Sequence, residues 1–138
     1  MASDIKITIT DRAGRKTASS GSKWEPIMGY SRAVRSGNLI AVTGTVGVNA
    51  DGKYSPSLAD QTRRSLQIIR AAIEALGGRI EQVIRTRMFV TDVSKWEEVA
   101  KVHGEVFAEI RPATSIVEVA KLIDAEAQIE IEADAVVA

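Results

Sequence analysis

Near the end of the chain, Gln128, Glu130, Glu132 and Asp134 alternate with Ile129, Ile131, Ala133 and Ala135. A period of two puts the apolar set on one face of a strand and the polar set, three of its four members acidic, on the other. Carboxylates in a row among β-branched residues destabilise a strand unless they are solvated, paired or used. The segment Val83 to Val90 supplies the opposite charge. Val83, Arg85, Arg87 and Phe89 share one face; Ile84, Thr86, Met88 and Val90 share the other, which is expected to lie under helices. Thr114, Ile116 and Glu118 also share a face. The sheet face away from the helices is therefore expected to carry Arg85 and Arg87 near Glu118, Glu130 and Glu132, with Phe89 and Ile116 among them. One reading is an exposed face with ion pairs worth about 0–1 kcal/mol each. The other is a partly buried face that packs on another subunit and lines a pocket.

Other reactive residue types are scarce. The chain has no Cys and one His. This removes disulfides, thiolate zinc sites, Cys nucleophiles and multi-histidine metal sites. No EF-hand-like spacing of carboxylates occurs. His103 falls on a helical stretch near Val99 and Val106, where it is a boundary or core residue, or an acid or base if a cleft reaches it. A Ser-His-Asp set lacks any nucleophile-elbow pattern. Trp24 and Trp96 are expected to pack, since no basic stripe with interleaved aromatics suits them to nucleic acid.

Positioning these groups requires a folded sheet. The chain of 138 residues fits a single domain spanning 1–138, with 45% hydrophobic residues for a core. Lys plus Arg equals Asp plus Glu, 18 each, which gives no electrostatic case for nucleic acid or an anionic membrane. No segment approaches the roughly 20 apolar residues of a membrane span. The N-terminal Met1 to Lys6 has no signal-like apolar run, so a cytoplasmic protein is expected.

Ile5, Ile7 and Ile9 alternate as a first strand, and Asp11 to Trp24 reads as a loop from its Gly, Ser, Arg and Lys content. Tyr30 to Arg35 reads as a short strand. Ser36-Gly37-Asn38 forms a hairpin turn, and Leu39 to Val46 a buried strand in which Gly44 marks a bulge or close approach. Ser55-Pro56 is expected to start a helix bearing Leu66, Ile69, Ile73 and Leu76, which Gly77-Gly78 stops. Arg63, Arg64, Arg70 and Glu74 form its solvated face. Val83 to Thr91 is a strand. Ser94 to Glu97 reads as a capping box for a second helix with Trp96, Val99, Val102, Val106 and Ile110 on one side, ended by Pro112. Two strands close the chain. Two helices and a mixed sheet make an α+β fold with both helices on one face.

In this order, several stretches resemble the RidA/YjgF family of enamine/imine deaminase-like proteins, labelled elsewhere as translation-inhibitor endoribonucleases. They are Gly29-Tyr30-Ser31-Arg32-Ala33-Val34, Leu39-Ile40-Ala41-Val42-Thr43-Gly44, Ala75-Leu76-Gly77-Gly78, Val83 to Asp92, Pro112 to Val119, and Ile129 to Ala133. The resemblance implies a chorismate-mutase-like fold and a homotrimer whose sheets form a central barrel. It also implies small-molecule metabolites in clefts between subunits, with no metal or organic cofactor. In deaminating members an Arg binds the substrate carboxylate, and a Glu positions the water that adds to the C=N carbon.

Carried onto this chain, Tyr30, Thr43 and Gly44 fall on pocket positions, Ile116 on a residue whose backbone lines the site, and Glu130 on the water-positioning Glu. The family Arg falls on Thr114, and a family Asn on Ala100. A lost charge-assisted bond to a carboxylate costs on the order of 2–5 kcal/mol. Either another cation serves, or the ligand lacks the carboxylate, or the protein does not deaminate. Arg87 is the first candidate substitute and Arg111 the second; the alternative for Arg87 is a structural pair with Glu118, Glu130 or Glu132. Hydrolysis of a reactive imine or enamine to a carbonyl compound and ammonia leads. A non-catalytic metabolite-binding or interaction module is the alternative, and a ribonuclease ranks last.

Overall fold

A computed structural model describes residues 4–138, so Met1 to Ser3 of the N-terminal stretch lie outside the described residues. The expected α+β class is found. The strands form one seven-stranded mixed sheet in the order β1-β2-β3-β4-β7-β5-β6. They are β1 (Thr8–Arg12), β2 (Arg15–Ser19), β3 (Ala33–Ser36), β4 (Leu39–Val46), β5 (Val83–Val90), β6 (Ala113–Glu118) and β7 (Ile129–Val136). All neighbours are antiparallel except β5 and β6. The helices are α1 (Trp24–Met28), α2 (Leu58–Ala75) and α3 (Trp96–Phe107).

The N-terminal reading needs correction. The first strand begins at Thr8, and the expected loop, Asp11 to Trp24, contains the end of β1, all of β2 and the first residue of α1. Ala13 (φ 52°) and Gly14 (φ 79°) make the turn between β1 and β2. Both central residues at positive φ are what a primed two-residue hairpin turn needs. β1 is exposed along its whole length, so it carries no apolar signal beyond Ile9.

α2 begins two residues later than expected. Ser57 is the N-cap, its hydroxyl accepting from Asp60 N at 3.2 Å, while Ser55 Oγ accepts from Ser57 N at 3.1 Å. At the other end Gly77 (φ 86°) donates to Glu74 O at 3.0 Å and Gly78 to Ile73 O at 2.9 Å. That pair of bonds closes the helix as a Schellman motif. Arg35 Nη1 on β3 donates to Leu76 O at 2.8 Å, placing a cation at the helix C-terminus. No side chain caps α3. Asp92 instead accepts from Ser94 N and Oγ, holding the tight turn before it.

α2 packs on β4, β7 and α3. Ile40, Val42, Leu66, Ile69, Ile73, Met88, Val90, Val99, Val102, Ile129 and Ile131 form the shared core. Each such side chain contributes about 1.5–3 kcal/mol when fully buried. Gln61 of α2 is buried and saturated. Its Nε2 donates to Ser55 O at 2.8 Å and Glu126 O at 3.0 Å, and its Oε1 accepts from Gln128 N at 2.9 Å. This amide fixes where β7 starts. Trp96 is half exposed rather than packed with Val99 and Val102, and Arg64 is mostly covered rather than solvated.

Two sheet irregularities decide which side chains meet. The β5–β7 register shifts between Val83 and Arg85. Val83 is thereby buried and Ile84 exposed, the reverse of a strict alternation. The β4–β7 register shifts between Val42 and Thr45, so Gly44 does sit in a bulge.

β6 corrects the expected charged face. Its parallel register sets Thr114 against Thr86, Ile116 against Met88 and Glu118 against Val90. Thr114 and Ile116 therefore face the helices, not Arg85 and Arg87. Glu118 accepts from Val93 N at 3.1 Å. Arg87 pairs with Glu132 at 3.3 Å and Asp134 at 3.6 Å.

Candidate functional site

Two cavities hold most of the sequence-derived site residues, and they share none of their lining. The first, about 560 Å³, is lined among others by Trp24, Tyr30, Arg32, Gly44, Thr45, Tyr54, Asp124 and Glu130. Glu130 projects from β7 across the β4 bulge. A Cβ built on Gly44 would stand 2.7 Å from Glu130 Cδ, so the absence of a side chain there makes room for the carboxylate. Burial pushes the Glu130 carboxyl above the usual carboxylate range, and neighbouring Glu132 adds to this while Arg32 opposes it.

Arg32 immediately precedes β3 and is only 6% exposed. Its Nε donates to Ser20 Oγ at 3.0 Å; its Nη1 donates to Gly44 O at 2.9 Å and Thr45 Oγ1 at 3.2 Å. The guanidinium carbon stands 5.6 Å from the Tyr30 ring centroid, a cation–π distance. Its Nη2 has no hydrogen-bond partner among the described residues. The Ser20 that receives Arg32 is held by Glu25, which accepts from Ser20 N at 3.2 Å and Ser22 N at 3.3 Å. Across the cavity, Tyr54 donates to Asp124 Oδ2 at 2.6 Å, and burial pushes the phenol well above its ordinary value. Arg64 donates from Nε to Val48 O at 3.0 Å and pairs with Asp4 at 2.8 Å.

The second cavity, about 440 Å³, opens between α3 and β6 and is lined by Met88, Trp96, Ala100, His103, Arg111, Thr114 and Ile116 among others. Three side chains form a chain of contacts into it. Thr86 Oγ1 lies 2.9 Å from His103 Nε2 and 2.8 Å from Thr114 Oγ1. Thr86 is fully buried and His103 half-buried against the Phe107 ring, 4.6 Å away. Burial pulls the His103 imidazole below its ordinary value, which favours the neutral form. Arg111 sits exposed at φ 57° on the turn after α3, its side chain making no hydrogen bond among the described residues.

The site residues read from the sequence thus divide. Tyr30, Gly44 and Glu130 meet in the first cavity; Arg111, Thr114 and Ile116 meet in the second. Thr43 stands beside the first, its hydroxyl donating to Ser31 O at 2.9 Å. Arg87 lines neither cavity. Arg32 is not among the sequence-derived site residues although it lies inside the Gly29 to Val34 motif; a cation just ahead of the apolar Ala33-Val34 pair is the signal that points to it. Thr86 carried no signal, because its partner is set by strand register. Among the described residues no group of His, Asp or Glu is arranged to hold a metal, and no helix is long and apolar enough to cross a membrane.

A seven-stranded mixed sheet with its main helices on one face is that of a chorismate-mutase-like α+β protein. Known proteins narrow the class. The family model described as Endoribonuclease L-PSP matches residues 20–137. The crystal structure of Rv2704 from Mycobacterium tuberculosis, of the YjgF/YER057c/UK114 family, is similar at a TM-score of 0.83 and 47% identity, covering 89% of this chain and 99% of that one. The 2-iminobutanoate/2-iminopropanoate deaminase of Escherichia coli K12 is 36% identical over 111 residues, 78% of this chain and 86% of the relative. E. coli TdcF, crystallised with bound serine, is similar at a TM-score of 0.74 and 29% identity, covering 79% of this chain and 88% of that one. The chain belongs to the RidA/YjgF/YER057c/UK114 family.

Proposed function

We propose that the chain hydrolyses reactive imines or enamines to carbonyl compounds and ammonia, in clefts completed by a second copy within a homotrimer. One observation carries this reading: Glu130 and Arg32, a carboxylate and a cation, line one cavity with room for a water and a small substrate. A carboxyl whose affinity for protons is raised by burial is better suited to take and return a proton than a solvated one. Water adds to the C=N carbon, and one of its protons passes through Glu130 to the nitrogen. The resulting carbinolamine then loses its hydroxyl proton by the same route. The C–N bond breaks, ammonia leaves and the carbonyl forms. Arg32 offsets the negative charge on Glu130 through each transfer.

The division of the remaining site residues into a second cavity supports a composite cleft, since neither cavity alone holds both Glu130 and the β6 residues. The relative acting on 2-iminobutanoate and 2-iminopropanoate supports the substrate class. Thr114, standing where the resemblance places the carboxylate-binding Arg, favours a second reading, a metabolite-binding module without turnover. Ammonia release from freshly generated 2-imino acids and from imines lacking a carboxylate separates the two. The expected result is release above the spontaneous rate, reduced about 10²–10⁴-fold in Glu130→Ala. Release at the spontaneous rate for every compound would overturn the hydrolase reading and leave the binding module.

A further inference from the structure

We infer that the cavity between α3 and β6 receives an uncharged hydrogen-bonding group, such as an amide, hydroxyl or neutral imine, and not a carboxylate. The inference assigns a substrate class to the clefts proposed above and in that respect rests on that reading. The lining is apolar on most sides, with Met88, Trp96, Phe107 and Ile116. One polar feature enters it, the line from His103 through Thr86 to Thr114.

That line has two settings. When His103 carries its proton on Nε2, the imidazole donates to Thr86, Thr86 donates to Thr114, and the Thr114 hydrogen, which the long 3.3 Å bond to Pro112 O otherwise takes, turns to a ligand acceptor. When the proton is on Nδ1, Nε2 accepts from Thr86 and Thr86 accepts from Thr114, leaving the Thr114 lone pairs for a ligand donor. Thr114 can therefore match a C=O, a C=N, an N–H or an O–H. Neither setting places a charge in the cavity. Thr86 is fully buried, so its hydroxyl has no water to turn to and stays committed to the line. A neutral imidazole stands behind it, as burial favours. A carboxylate would meet a single hydroxyl donor among apolar side chains. The cation of this cavity is Arg111, exposed at its rim, where water screens its charge.

The test uses the chain's single imidazole as its own reporter. The ring C–H signals of His103 are followed by NMR in the intact protein as propanamide or propanoate, which have nearly the same shape but differ in charge, is added. Propanamide is expected to shift these signals saturably. Propanoate should need about tenfold or more concentration for the same effect, the scale of about 1.4 kcal/mol in discrimination. Thr114→Val should abolish the propanamide response and Thr114→Ser should keep it. Propanoate binding as tightly as propanamide, with loss of that binding in Arg111→Ala, would overturn the inference. So would silence of the His103 signals to both compounds. Because the readout is binding, it separates from the ammonia assay: a protein that answers propanamide but releases no ammonia keeps this inference and loses the hydrolase reading.

Discussion

Glu130 is held where its own charge is unfavourable. Its folded carboxyl binds protons more tightly than an unfolded one, through burial first and Glu132 second. Stability contributed by the protonated form is complete below the unfolded value and is lost as pH rises through the folded value. Glu130→Gln should therefore raise the urea midpoint at pH 7 while removing turnover; a lower midpoint would contradict the assignment. His103 has the opposite linkage. Its folded imidazole holds protons less tightly than the unfolded one, so stability falls as pH drops below about 6.5 toward the folded value. The urea midpoint should decline over that window in the wild type and stay flatter in His103→Gln. At this scale the sequence singled out Glu130, Tyr30 and Gly44 as candidates because a motif brackets each, and they line one cavity. It did not single out Arg32, whose role depends on Ser20, Gly44 and Thr45 arriving from three separate segments.

Elements fix which of these residues share a space, and the errors at this scale have one origin. Alternation identified both faces of β7 correctly, because its apolar and acidic residues run without interruption from Ile129. On β5 the shift between Val83 and Arg85 reversed Val83 and Ile84. On β6 the face could not be read from composition, since Thr114 and Ile116 are only assigned by pairing with Thr86 and Met88. Backbone approach gives a sharper test. A Cβ on Gly47 would meet the Gln61 backbone, 2.8 Å from its Cα, whereas a Cβ on Gly44 meets the mobile end of Glu130. Gly47→Ala should cost about 1–3 kcal/mol in urea unfolding, because α2 must shift. Gly44→Ala should instead impair ammonia release with a smaller change in midpoint. Ser57→Ala should cost about 1 kcal/mol as the loss of an N-cap, a larger effect than Ser55→Ala if the observed cap is the operative one.

For the whole molecule, exposed Ile27, Met28, Ile84, Val117 and Ile123 leave apolar surface open, and formal net charge is zero. Both favour self-association. A composite cleft makes a definite prediction. Glu130→Ala disables the first cavity; Gly104→Trp fills the second, where a Cβ meets nothing within 4 Å. Each variant alone should be inactive. Mixed assemblies refolded together should regain part of the activity, because some clefts then receive an intact half from each chain. Absence of any recovery would place the whole site in one copy. The fold class was legible from the order of patterned segments, but assembly was not, since nothing in one chain's periodicity says which surface meets another. The separation of the two cavities also bears on how catalysis varies with the amount of protein. Where turnover belongs to the junction between copies, dilution below the assembly threshold lowers activity faster than in proportion to concentration, and the rate law gains an order above one in the protein itself.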